Sequence, residues 1–162
     1  MFDDVIRLAK RIKSLDANLI LFSILNNEDF KSFIIEMNLR NQLFQGIDSL
    51  GVELAPYSEA TQNILDADRE NAFSYGGLTK KKIAGQPAFL LDSQEFYDSV
   101  TIEITLDSIV FDADPIKDDG TDLFREYGEE ILGLTEGNFQ KLIDKINESL
   151  LPKILEILEI QN

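Results

Sequence analysis

A chain of 162 residues fits one domain that buries about two thirds of its unfolded surface, and its 44% hydrophobic fraction is ordinary for a globular protein. Thirty Asp and Glu against fifteen Lys and Arg give a formal charge of −15, which disfavours a nucleic-acid face built from clustered bases. No cysteine and no histidine is present, so disulfides and thiolate chemistry are excluded and the commonest general base and metal ligand is missing.

The opening MFDDVIRLAK has acids where a signal peptide has its basic region, and no apolar stretch follows them. No apolar run approaches the ~20 residues of a membrane span. The expectation is a protein made and used in a cytoplasm, or in a particle assembled there, without membrane contact.

In chain order, Asp3-Asp4 begin an amphipathic helix with Val5, Leu8, Ile12 and Leu15 on one stripe. The segment from Asp16 to Leu25 holds Leu19, Ile20, Leu21, Phe22, Ile24 and Leu25, too many apolar residues for a surface helix. It is either buried or packed on a neighbouring subunit. Asn27 caps a third helix, predicted from Glu28 to about Gln45. Its two apolar stripes (Phe30, Phe33, Ile34, Met37 and Phe44; Ile35, Leu39 and Leu43) call for two neighbours. Asn38, Asn41 and Gln42 near its end are read as local hydrogen-bonding groups.

The stretch Gln42–Thr61 has a fixed grammar. Gly46 ends the helix, and the loop Ile47–Gly51 redirects the chain. Val52 to Leu54 form a brief extended piece, Pro56 blocks helix at Ala55, and Ser58 caps a helix starting at Glu59. Gly46, Asp48, Gly51, Pro56 and Ser58 therefore read as a structural elbow, not as a catalytic set. Residues 66–86 are rich in turn formers and are expected to form a mobile loop or an extended hairpin reaching out of the domain. Tyr75-Gly76-Gly77 lacks the spacing of a phosphate loop. Lys80, Lys81 and Lys82 are the only basic cluster, either simply solvated or touching DNA or an acidic partner.

Residues 88–91 (AFLL) are expected to form a short buried strand, after which Asp92 caps a brief helix. Val100, Ile102, Ile104 and Leu106 alternate with Thr101, Glu103 and Thr105, and Ile109, Phe111 and Ala113 alternate with Val110, Asp112 and Asp114. This predicts an antiparallel hairpin over about 99–114, joined by Asp107-Ser108. Asp118-Asp119-Gly120-Thr121-Asp122 resembles a calcium loop only in part. Whether counted from Asp112 or from Asp118, the position that needs glycine holds Lys117 or Leu123, so a helix cap at Thr121 or Asp122 is the better reading and no metal or cofactor is expected. Thr135 caps a helix carrying Phe139, Leu142, Ile143, Ile146 and Leu150. Pro152 then interrupts it and opens a final helix with Ile154, Leu155, Ile157, Leu158 and Ile160.

Charge is uneven. The first 46 residues balance six acids against six bases, whereas residues 112–136 carry nine acids against Lys117 and Arg125. That window is a solvated surface, or a patch that docks a partner or lines a channel through which DNA slides. The fold class is α+β: several helices around a small, mainly antiparallel β-sheet in one domain. A helical part spans 1–46, an α+β core 47–133 and C-terminal helices 134–160.

A helix followed by Gln42, Leu43, Gly46, Ile47, Asp48, Gly51, Leu54, Pro56, Tyr57, Ser58 and Thr61 resembles the neck and tail-completion proteins of tailed bacteriophages, the virion morphogenesis family. A second block, Leu90 or Leu91, Asp92, Ser93, Phe96, Tyr97 and Ser99, follows at the family's spacing, and the likeness covers about residues 28–140. Where the family has Asp-Thr-Gly, this chain has Asp92-Ser93-Gln94. The resemblance implies a non-enzymatic virion subunit, assembled in the host bacterial cytoplasm, that forms a sixfold or twelvefold ring. Such a ring joins head to tail, lines the DNA path, and meets portal, adaptor or tail proteins, with at most non-specific contact with packaged DNA. Leu19, Ile20, Phe22, Ile154, Leu155 and Leu158 are the apolar residues expected at its partner interface. Two other classes compete: an acidic binding module or inhibitor that docks a basic partner, and a carboxylate enzyme using Asp112 with Glu103 or Glu126.

Overall fold

The computed structural model describes residues 2–68 and 71–158. In chain order the elements are α1 (Phe2–Lys13), α2 (Ala17–Leu25), α3 (Glu28–Leu39), α4 (Glu59–Asp68), β1 (Phe73–Tyr75), β2 (Leu78–Lys80), α5 (Glu95–Ser99), β3 (Thr101–Ile104), β4 (Ile109–Asp112), α6 (Leu123–Tyr127) and α7 (Glu136–Ile157), with 3-10 turns at Leu43–Gln45 and Glu129–Ile131. The fold is α+β, and its strands form two separate antiparallel pairs, β1–β2 and β3–β4.

Of the caps read from the sequence, Asn27, Ser58, Asp122 and Thr135 are in place, and Asp16 caps α2 as well. The Asp16 carboxylate accepts from the Asn18 and Leu19 amides, Asn27 from Asp29, Asp122 from Arg125, and Thr135 from Asn138. Each satisfies a helix-end N–H that would otherwise lack a partner. Ser58 likewise accepts from the Thr61 amide at 3.1 Å.

Several boundaries differ from the sequence reading. α3 stops at Leu39 instead of running to Gln45, because Leu43 and Phe44 must turn into the core from a tighter 3-10 segment; both are fully buried. Pro152 does not start a new helix: α7 continues through it to Ile157, and the proline sits on the exposed side, where the lost hydrogen bond costs least. Residues 88–91 are buried but are not a strand, since Leu90 has φ 51° and cannot continue a ladder. The hairpin turn is centred one residue earlier than expected. Ile104 pairs with Ile109, and the Thr105 amide bonds the Ser108 carbonyl, so Leu106-Asp107 forms the tip and Leu106 points into solvent.

Two cores share the chain. One gathers Leu39, Leu43, Phe44, Phe89, Leu91, Phe96, Tyr97 and Ile131 under the elbow; the other joins α2, α3, β3 and α7 through Ile20, Ile24, Phe30, Ile34, Met37, Ile104 and Leu142. The described residues of the 66–86 segment do not reach out of the domain. The β1–β2 hairpin, turning at Gly76-Gly77, lays Phe73 and Tyr75 on the first core, where Tyr75 meets Tyr97 edge-on at 4.9 Å.

Candidate functional site

At the elbow, Gly46 ends the 3-10 segment Leu43–Gln45 and not α3. Gly46 has φ 81°, and a Cβ there would come within 2.6 Å of the Pro87 side chain, so only glycine lets the chain turn against Pro87. The buried Asp48 carboxylate accepts from the Leu50 and Val52 amides at 2.9 and 2.8 Å and so closes the loop that Gly51, φ 80°, completes. Pro56 pairs with Pro87 in an isolated bridge. The Tyr57 hydroxyl accepts from the Phe89 amide at 2.9 Å, and the Tyr97 hydroxyl donates to the Phe89 carbonyl at 2.6 Å.

Asn38 and Gln42 have a long-range role that the sequence did not reveal. The Asn38 amide group donates to the Ile131 and Gly133 carbonyls, and that of Gln42 to Gly133. The Gln42 side-chain oxygen accepts from the Thr135 amide and from the Asn138 side chain, which also donates to the Met37 carbonyl. This buried amide network clamps the start of α7 onto the end of α3. An Asn or Gln four residues from an apolar stripe is the only sequence sign of it, and local capping gives the same sign.

The lysine cluster divides. Lys82 is buried, paired with Asp92, with its ammonium 4.4 Å from the Phe73 ring centre. Burial, with the charge of Lys117 beside it, pushes Lys82 down to about 8, and the adjoining Asp92 carboxylate opposes that shift. Lys80 donates to the Phe44 carbonyl at 3.0 Å, and burial lowers its pKa as well. Lys82 is thus a core element and cannot meet DNA; Lys81 alone of the three is exposed. Asp92 does not cap α5, because its carboxylate is held by Lys82 and Lys117, and the cap position belongs to Gln94 in a left-handed conformation, φ 70°.

The expected interface residues also divide. α7 folds back along α2, which leaves Ile20 and Leu158 buried and Ile154 packed on the second core within the same chain. The apolar end of the chain is used there, so these three are not free for a partner. Leu155 is half-buried, and Leu19 is 57% exposed. Ile160, like the side chains of Val5 and Leu8, lies outside the described residues.

Phe22 leads to the main surface feature. An open groove of about 600 Å³ runs between α2, the β3–β4 tip and α7. Its walls include Leu21, Phe22, Leu106, Phe111, Phe139 and Ile143, with Asp107 and Ser108 at the rim. Leu106 and Phe139 are 58% and 46% exposed, a concentration of apolar surface that marks a contact site more often than a solvated face. A second cleft, about 500 Å³, lies between the start of α3 and α7 and mixes Asp29, Lys145, Glu148, Lys153 and Glu156.

Glu103 and Asp112 lie exposed on the outer face of their strands, and Glu126 is exposed on α6. No group of three acids that could hold a metal occurs among the described residues. The Asp118–Thr121 loop is a turn closed by its own backbone, with Gly120 at φ 82°. No helix of the described residues is long and apolar enough to cross a membrane. Compared with family models, with curated proteins and with solved structures, the chain shows no match.

Proposed function

We propose that the chain is a structural subunit of the neck or tail-completion region of a tailed phage, repeated in a ring that joins head to tail around the DNA path. Its work is assembly, through apolar contact, and involves no bound cofactor and no turnover. The observation that carries this reading is that the two blocks of the phage-like pattern, far apart in sequence, both hold the short segment 87–89 that precedes the second block. Gly46 lies on Pro87, Tyr57 bonds Phe89, and Tyr97 bonds the same residue from the other side. A pattern in which Gly46, Asp48, Tyr57 and Tyr97 serve turns and packing supports a shared architecture. The open groove supports assembly by surface contact.

One observation favours a second reading, an acidic module that docks a basic partner: eight of the nine acids in residues 112–136 are exposed. The test is the composition of purified phage particles. On the ring reading the chain is present at a fixed multiple copy number and stays with the tail-proximal portal end after the capsid is opened. Absence from particles, together with salt-sensitive one-to-one binding to a basic protein, would favour the docking module.

A further inference from the structure

The groove and the first helix answer one another. α1 carries Arg7, Lys10, Arg11 and Lys13 against Asp3 and Asp4, a net basic segment in a chain of charge −15. Among the described side chains, Ile6, Ala9 and Ile12 share one side of the helix, Arg7 and Arg11 stand opposite them, and Lys10 flanks Ile6. Ile6 and Ile12 stand about 120° apart around the axis at 100° per residue, yet they are 50% and 51% exposed. Both sides of the apolar arc are therefore open. Among the described side chains, none of α1 belongs to either core, and none lines the groove. Its C-terminal end sits elsewhere, where Arg11 and Leu15 meet Leu19, Ile157 and Leu158.

The groove has the complementary character. It is apolar along its length and has Asp107 at its rim. Its lining holds no base and one acid, Asp107, in a chain whose remainder outside α1 is strongly acidic. Its α7 wall exposes Phe139 and continues through Leu142, Ile143 and Ile146, about two helical turns, against which two of the three turns of α1 can lie. We propose that this groove receives α1 of a second copy of the chain, with Ile6 and Ile12 inward and the basic side toward Asp107 at the rim. The contact is heterologous, a projecting helix on one copy and a groove on the next, and contacts of that type close into rings. An anionic membrane or nucleic acid could attract the same basic helix, but the rest of the chain is more acidic than the whole and would be repelled by either. The inference deepens the ring reading and rests on it only in requiring that copies repeat.

The absence of cysteine makes the test clean. Full-length Ile12→Cys and Leu106→Cys chains, both changed at exposed sites, are mixed at high concentration under mild oxidation. The expected result is a disulfide between the two different chains, in several-fold higher yield than from Ile12→Cys mixed with Ile64→Cys, whose cysteine is exposed on α4 away from the groove. A double Ile12→Cys, Leu106→Cys chain that links only within itself would show α1 covering its own groove and would overturn the proposal. So would a yield no higher than the control, including the case in which α1 binds anionic vesicles instead. The mass of the unmodified chain reports ring formation separately, so a ring without this disulfide refutes the contact and leaves the ring reading standing.

Discussion

Gln94 occupies the position where the phage-like pattern has glycine, and it adopts a left-handed conformation, φ 70°. The turn is thus kept by a residue that pays a steric penalty, since a side chain with a Cβ is disfavoured there by roughly 1–2 kcal/mol. Gln94→Gly relieves that strain but also loosens the unfolded chain, and should raise stability by about 0.5–1 kcal/mol in denaturant melts. A loss would mean that the Gln94 side chain holds the turn in a way its hydrogen bonds do not record. Asp92 makes a second residue-scale test. Asp92→Asn leaves the buried Lys82 charge without its anion and should cost about 1–3 kcal/mol, discounted because Asp92 is partly exposed. In a Lys82→Met background the same change should cost far less, and equal costs in the two backgrounds would show that the pair is not coupled.

At the scale of elements, the β3–β4 hairpin is the most legible part of the fold. Alternation placed Ile102, Ile104 and Phe111 on the inner face, and the structure agrees: Ile104 is buried and the other two are half-buried. Ile104→Ala should cost roughly 2–4 kcal/mol, whereas Val110→Ala on the outer face should cost under about 1 kcal/mol; similar melting shifts at both sites would reverse the face assignment. Caps were legible because one side chain and one amide, two or three residues apart, decide them. The strand expected at 88–91 failed because a buried apolar run does not show whether a partner strand exists, and Leu90 turns away where one would pair. The groove was legible only in part. Phe22 stands out in the sequence, but the exposure of Leu106 depends on where the hairpin turns, and the exposure of Phe139 depends on how the Gln42–Asn138 clamp rotates α7. Both are tertiary facts that no local pattern encodes.

For the molecule as a whole, burial raises the pKa of all four tyrosines, Tyr57, Tyr75, Tyr97 and Tyr127, the last to about 12. A phenol whose folded value is raised is protonated more readily in the native state. Its contribution is therefore fully present below the unfolded value of 10 and is lost as pH climbs toward the folded value. Stability should fall steeply above pH 10, with phenolate absorbance appearing together with loss of helical signal. Phenolate formation well before unfolding would contradict the burial of these rings. On the proposed ring reading, the apolar groove, the net basic α1 and the acidic surface belong to a subunit that is stable alone and repeats in an assembly. Native mass measurement of the unmodified chain over a wide concentration range tests that claim most directly. Monomer should give way, as concentration rises, to one closed species of six or twelve copies, visible as a ring in electron micrographs. A chain that remains monomeric at every concentration would contradict it.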